Sequence, residues 1–403
     1  MNAPKLRFCE FNTAWKSFYL GEISSITKLA GFEFTKYVTY SNSGNIIALR
    51  GLNIKKGLLD LTDVKYIDES DFSKLNRSKL FKNDLLFTYV GTIGEAAIVD
   101  VDDKYYLAPN VCLIRPLQVE SSEFLLEYIL RDDFKRKVID PLVTTSSQPS
   151  LSMENVRKFN LNIPTIEEQK KISNFIGVIN KKIQLQQEKI DLLKEQKKGY
   201  MQKIFSQELR FKEEDGHTYP DWKLQIKAEQ LFEPISNKNH NGEYPVLSAT
   251  QELGMVYRDS LDRQMSFNDD NLGSYKLVEQ EDFIISLRSF QGGIEFSNLQ
   301  GLVSPAYTVF RKKSELVHEL YFAKLFKTEN FIMRLNSTTY GIRDGKAISY
   351  KDFSTLKFDV PCLEEQIKIA KFLDTFDKKI KHETAKLSQL NNQKQYFMQQ
   401  MFI

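Results

Sequence analysis

The sequence predicts a mixed α/β (α+β) fold of two globular domains in tandem, joined by two long helices that form an antiparallel coiled coil with pseudo-twofold symmetry. Three observations lead there. Residues 164–206 and 361–403 align without a gap at an offset of 197 and agree at 17 of 43 positions, which chance does not produce. Both segments carry a sustained heptad of apolar residues. Each follows a longer stretch whose short apolar runs and turn residues read as a domain of strands and helices. The organisation is a first domain at 1–160, a first spacer helix at 161–211, a second domain at 212–358 and a second spacer helix at 359–403.

The two globular stretches share a plan but little sequence. Leu6-Arg7-Phe8 recurs as Leu209-Arg210-Phe211, and a Trp-Lys pair follows each time, Trp15-Lys16 and Trp222-Lys223. Next come β-rich segments, Asp84–Asp100 and Asp282–Asn298, with Gly91-Thr92-Ile93-Gly94 and Gly292-Gly293 at corresponding places after strands. Glycines so placed mark turns or bulges, and these runs are too short to be nucleotide loops. A short apolar strand follows a proline in each half, Pro109 to Arg115 and Pro305 to Arg311. An amphipathic helix comes after it, roughly Ser122–Val138 and Ser314–Leu335.

Each domain closes on a strand ending at proline, in Ile163-Pro164 and Val360-Pro361, and Glu-Glu-Gln lies three residues on. Proline suits a helix entrance, and acidic residues in a first turn suit the helix dipole. From there the a/d positions of the first helix are Ile172, Ile176, Ile179, Ile183, Gln186, Ile190, Leu193, Lys197, Tyr200 and Ile204. Those of the second are Ile369, Leu373, Phe376, Ile380, Glu383, Leu387, Leu390, Lys394, Phe397 and Met401. The polar exceptions fall at matched places, where they fix register in a coiled coil. About 40 residues of helix span about 60 Å, so the pair is expected to act as a rigid spacer. The alternative is that each helix packs only on its own domain.

Composition narrows the function by exclusion. With 41% hydrophobic and 27% charged residues, the chain reads as globular. Met1 to Lys16 does not look like a signal peptide, and no apolar run approaches a membrane span, so a cytoplasmic protein without membrane contact is expected. Cys9, Cys112 and Cys362 are far apart and odd in number, which fits a reducing compartment. Four histidines (His217, His240, His318, His382) and these cysteines offer no metal-ligand spacing. There is no Walker A sequence and no Asn-Pro-Pro-Tyr or Asp-Pro-Pro-Tyr element, and pairs such as Asp102-Asp103 and Asp269-Asp270 lie in polar stretches. No catalytic residue, metal site or cofactor is expected in this chain. Net charge is only +3, so partners are expected to supply much of any grip on phosphates.

Polar, turn-rich segments remain as candidates for recognition. In Thr144–Ser150 the candidates are Thr145, Ser146 and Gln148; in Ser337–Lys346 they are Tyr340, Arg343 and Lys346. A third cluster, Leu287-Arg288-Ser289-Phe290-Gln291-Gly292-Gly293, contributes Arg288 and Gln291. Such side chains hydrogen-bond base edges and phosphates, although loops of this composition are commonly just loops. Two readings stay open on residues alone. One is a DNA-reading protein; the other is a structural scaffold in which the coiled coil tethers two protein-binding domains. A nuclease is a distant third, since no carboxylate–lysine constellation stands out.

The paired signature of a strand ending in Ile-Pro or Val-Pro, then Glu-Glu-Gln and a long helix, preceded by Ser150-Leu151-Ser152 or Ala347-Ile348-Ser349, resembles the specificity subunit of type I restriction-modification systems over the full chain. The resemblance implies two target recognition domains, each reading one half of a split, asymmetric site in double-stranded DNA. It implies that the spacer helices dock two methylation subunits, which use S-adenosylmethionine to methylate adenine N6. Restriction motor-nuclease subunits, with ATP and Mg, would complete the complex. It carries over no base-contacting residue.

Overall fold

The computed structural model describes residues 3–29, 31–118, 121–144, 149–251, 253–261, 269–338 and 348–403. The chain divides into two units, Met1–Gln187 with Ala385–Ile403, and Glu188–Thr384. Each unit therefore holds one globular domain, part of its own spacer helix and part of the other.

In the first unit, Lys16–Tyr19 pairs antiparallel with Asn160–Ile163, the strand that leads into the first long helix. A four-stranded antiparallel sheet lies in the order Ser24–Lys28, Val111–Pro116, Leu85–Thr88, Ala96–Ile98. The second unit repeats both arrangements. Lys223–Lys227 pairs with Lys357–Val360, and the four strands run Phe232–Ile235, Thr308–Lys312, Phe283–Ile285, Glu295–Phe296. Where the halves differ is in what is added. The first has a three-stranded sheet of Lys65–Tyr66, Ile47–Leu49 and Tyr105–Leu107, the last pair parallel. The second has two antiparallel pairs instead, the hairpin Leu247–Thr250 with Gly254–Tyr257 and the pair Lys276–Val278 with Gly301–Val303.

A bidentate ion pair recurs between the two central strands of each four-stranded sheet. Arg115 Nε and Nη2 donate to both oxygens of Asp84 at 2.6 Å, and Arg311 donates likewise to Asp282 at 2.8 and 3.0 Å. Hydrogen bonding to buried Asp282 raises the Arg311 guanidinium pKa above its already high ordinary value. Apolar side chains fill the space between sheet and helices: Trp15, Phe87, Phe124 and Phe159 in the first unit, and Phe232, Phe283, Phe310, Phe326 and Phe353 in the second. Each such ring buried contributes about 1.5–3 kcal/mol relative to exposure.

The helices expected over Ser122–Val138 and Ser314–Leu335 are each broken. In the first half an α-helix covers Ser122–Ile129, then Arg131 is extended, and a π-turn occupies Lys135–Ile139. Arg131 is held in that break by donating to both oxygens of Asp133 at 2.9 and 2.6 Å. In the second half Glu319–Leu325 and Glu329–Ser337 are separate helices, because Thr328 is extended and its hydroxyl accepts from Phe331 N, starting a new N-terminus.

The two long helices span Ile166–Phe205 and Leu363–Met401. Among the heptad positions, Ile172, Ile176, Ile179, Ile190, Ile369 and Leu373 are buried, while Ile183, Leu193, Phe376, Ile380, Leu387 and Leu390 are half-buried. Tyr200, more exposed, still packs edge-on against Phe372 at 5.2 Å. Within the first unit Phe175 meets Phe397; within the second Tyr200 meets Phe372, Lys197 meets Asp377 and Lys189 meets Glu383. Numbers rise along one helix as they fall along the other, so the pairing is antiparallel. Packing of each helix only on its own domain is overturned: Phe402 stacks on Phe124 of the first domain at 5.2 Å, and Phe205 packs on Tyr321 of the second at 5.5 Å.

Candidate nucleic-acid interface

The joint between each domain and its helix explains the repeated motifs. Glu168 is buried and accepts from Arg7 Nε and Nη2, both at 2.7 Å, and from the Trp15 indole at 3.3 Å. Glu365 is buried too and accepts from Arg210 at 3.2 and 2.8 Å and from Trp222 at 3.0 Å. Next to them, Gln169 and Gln366 each donate back to the carbonyl of the helix-entry proline at 3.0 Å. Gln366 also accepts from His318 N and donates to Leu316 O, clamping the chain ahead of the Glu319 helix. The Glu-Glu-Gln motif is thus more than a favourable first turn. Its second and third residues lock the domain to the spacer, and the Leu-Arg-Phe and Trp-Lys repeats supply the other half of the lock.

From that fixed base, the hairpin between the last two strands of each four-stranded sheet reaches outward. In the second unit it is Leu287–Ile294. Ser289 Oγ accepts from Ser286 N at 2.8 Å at the start of a short helical turn, Ser289–Gly292, whose N-cap is Arg288. Gly293 closes the turn at φ 76°, ψ −166°, where a Cβ would lie 2.1 Å from Phe326 O. Lys327 donates to Gly292 O at 3.0 Å, so the turn is seated beside the helices that run on to Ser337. Of the residues expected to touch DNA, Arg288 is exposed on this turn, with no side-chain partner among the described residues, and Gln291 accepts from Gln251 at 3.2 Å.

The first unit builds the same hairpin, Tyr89–Glu95, with Gly91 and Gly94 at positive φ as the turn reading expects. Thr88 Oγ1 donates to Thr92 O at 2.5 Å and holds it closed. The hairpin is bonded to the C-terminal end of the Thr144–Ser150 segment, whose two ends pair with each other. Val90 bridges to Ser150, Gly91 N donates to Pro149 O, and Thr144 bridges to Ser150 in turn. Two separate stretches singled out in the sequence therefore meet. Thr145, Ser146 and Gln148 themselves lie outside the described residues, as do Tyr340, Arg343 and Lys346.

Beside the first hairpin is a pocket of about 360 Å³, lined by Tyr40, Arg50, Thr92 and Asn110 among others. Thr92 lies in the β-rich stretch and Asn110 at the start of the proline-led strand that the sequence pointed out, but neither was named as a candidate contact; Arg50 reaches the pocket from a stretch that carries no local signal. Among the described residues no group of three or more His, Cys, Asp or Glu is placed to hold a metal ion, and no helix is long and apolar enough to cross a membrane.

One rigid joint used twice, bearing two heads with unlike polar surfaces, defines a two-headed recognition protein. The chain belongs to the type I restriction-modification DNA specificity family: the family model for the type I restriction modification DNA specificity domain matches residues 12–195 and again 225–392. It is accordingly a specificity subunit, whose part in its complex is the recognition of DNA sequence rather than catalysis. A Methanocaldococcus jannaschii protein provisionally named the type I restriction enzyme MjaX specificity subunit is 26% identical over 372 residues, covering 86% of this chain and 83% of the relative. The MjaVIII specificity subunit of the same organism is 23% identical over 360 residues, covering 82% and 81%. In fold the chain is similar to the S subunit of the type I system of M. genitalium, with a TM-score of 0.58 at 15% identity over 100% of this chain and 99% of the other. A second solved chain, from work on complex assembly and conformational transition of the type I R-M system, gives 0.54 at 15% identity over 95% and 96%.

Proposed function

We propose that this subunit reads a split, asymmetric site in double-stranded DNA, one half with each globular domain, and docks two methylation subunits through its long helices. The observation that carries this is the contrast between joint and head. The Arg–Glu–Trp lock is the same in both halves, whereas the hairpins present Thr92 in one and Arg288 with Gln291 in the other. Equivalent mounts with unlike faces suit two half-sites of different sequence. Thr145, Ser146, Gln148, Tyr340, Arg343 and Lys346, which lie outside the described residues, are proposed as DNA contacts on their sequence alone. Methyl transfer from S-adenosylmethionine to adenine N6 is assigned to the methylation subunits. ATP- and Mg-dependent translocation and cleavage are assigned to restriction subunits, in a cytoplasmic complex.

The test is co-expression with the cognate methylation subunits in a host lacking adenine methylation, followed by genome-wide mapping of methylated adenines. A two-part consensus is expected. Replacing residues 1–160 by another recognition domain should change one part and keep the other. Methylation that does not depend on this chain, or no salt-dependent DNA binding by the complex, would refute the proposal in favour of a scaffold.

A further inference from the structure

We infer that the pocket beside the first hairpin is a base-edge reading site, with Arg50 and Asn110 as the side chains that select the base. This rests on the DNA-reading role proposed above and assigns it to particular groups. The pocket is open to solvent: Tyr40 and Leu52 on its rim are 39% and 44% exposed, unlike the enclosed walls of a small-molecule cavity.

Arg50 is the cation of the pocket, and it is held at one end only. Its Nη2 donates to the main-chain carbonyl of Asp63 at 2.8 Å and to the Asp63 carboxylate at 3.0 Å. Its Nε is buried, whereas its Nη1 makes no hydrogen bond among the described residues. The Asp63 side chain is 68% exposed, so its charge is largely screened by water and does not cancel the guanidinium. A guanidinium so positioned, with Nη1 left to donate, can meet an acceptor on a guanine edge. Arg50 also lies close enough to Tyr40 to act on it electrostatically, opposing the upward shift that burial gives the phenol.

Asn110 brings the complementary chemistry. Its backbone is fixed in the left-handed region at φ 71°, and its carbonyl accepts from Tyr89 N at 3.1 Å, directly at the root of the hairpin. The side-chain amide is exposed, with a donor and an acceptor that match an adenine edge. Leu52 supplies an apolar surface suited to a thymine methyl. The second unit supports the same location independently. There the equivalent hairpin itself carries an arginine and an amide, Arg288 and Gln291. An arginine–amide pair thus stands at the same hairpin in both halves, delivered from different parts of the chain.

The experiment compares methylation maps of complexes reconstituted with full-length wild type, Arg50→Ala, Asn110→Gly and Arg288→Ala. Asn110→Gly removes only the exposed amide, since glycine accepts the positive φ; it keeps the test decisive if Arg50→Ala loses its Asp63 anchor and fails to assemble. The expected result is that Arg50→Ala and Asn110→Gly each relax base preference within one half-site by about 10- to 100-fold, leaving the other half intact, while Arg288→Ala relaxes the other half. An unchanged consensus for both first-domain variants overturns the inference. So does a uniform loss of affinity across all sequences with a shallower salt dependence, which marks a phosphate contact. A wild-type complex without any two-part consensus would instead fault the proposed function, so the two failures are distinguishable.

Discussion

Removing the charge of Glu365 tests whether the repeated lock holds domain to helix. Its carboxylate is fully buried and serves three donors: Arg210 Nε, Arg210 Nη2 and the Trp222 indole. Glu365→Gln keeps the shape but turns one acceptor oxygen into a donor, so at least one of these bonds is lost and the guanidinium loses its counter-charge. Breaking a fully buried pair from one side costs about 3–5 kcal/mol. Arg210 is 23% exposed, so water recovers part of its solvation and about 2–3 kcal/mol is the expected loss. For a unit of this size that lowers Tm by about 4–12 °C. The chain has two tryptophans, one at each lock, so in a Trp15→Phe background Trp222 emission reports on this joint alone during urea unfolding. Glu364→Gln, one residue away and exposed, should stay within about 0.5 kcal/mol. If Glu365→Gln is indistinguishable from Glu364→Gln, the buried lock contributes nothing and the reasoning fails.

Other substitutions probe the remaining devices. Asp377 is opposed by burial, but hydrogen bonds from Lys197 and Lys324 outweigh it and hold the carboxyl below its ordinary range. That stability is present above the unfolded pKa of about 4 and is lost as pH falls through the folded value. With the carboxylate 35% exposed, Asp377→Asn should cost about 1 kcal/mol at pH 7, and its urea midpoint should converge on wild type below about pH 4; an equal gap at both pH values counts against the network. Gly293→Ala should cost about 2–4 kcal/mol, since that backbone region is open essentially to glycine alone and the added Cβ meets Phe326 O; circular-dichroism melts check it against Gly91→Ala, whose Cβ meets nothing within 4 Å. Glu127→Lys should destabilise the first unit by about 2–3 kcal/mol through a buried cation beside Lys394. Adding Asn180→Asp should recover at least about 1 kcal/mol of it in a double-mutant cycle, and a purely additive double variant would show that the two positions do not interact.

Periodicity and repetition made the large features legible: heptad positions repeat every few residues, and the entry prolines sit next to the helices they start. Elements set by local spacing were therefore found, while the breaks at Arg131 and Thr328 were not, because one extended residue interrupts a helix without disturbing its apolar pattern. The lock was legible only in outline. Arg7 and Glu168 are 161 residues apart, and nothing near either names the other; the sole hint was that both recur. Of the candidate site, Arg288 and Gln291 fell on the hairpin because a glycine-rich turn has a sequence signature. Arg50 and Asn110 did not, because an arginine before a 3-10 turn and a left-handed asparagine look alike whether or not a pocket lies between them.

The divergence of the two heads also has a physical pattern, visible where Lys197 and Lys394 occupy the same heptad position one repeat apart. Each finds a carboxylate, but on a different element. Lys197 donates to Asp377 on the opposing helix, with Lys324 of the domain on the acid's other oxygen, both at 2.6 Å. Lys394 pairs with Glu127 of the domain at 3.2 Å, and Asn180 on the opposing helix donates to that same acid at 2.7 Å. Glu127 and Lys324, and likewise Asn180 and Asp377, are separated by the 197-residue repeat. The acid has changed sides while the ion pair persists. What the repeat preserves at this joint is therefore a lysine–carboxylate contact, which no single position reveals, while the net charge of the three positions is +1 in the second half and 0 in the first. A domain can exchange nearly all its residues under that constraint and still seat on the same pair of helices, provided its one facing side chain complements the helix below it.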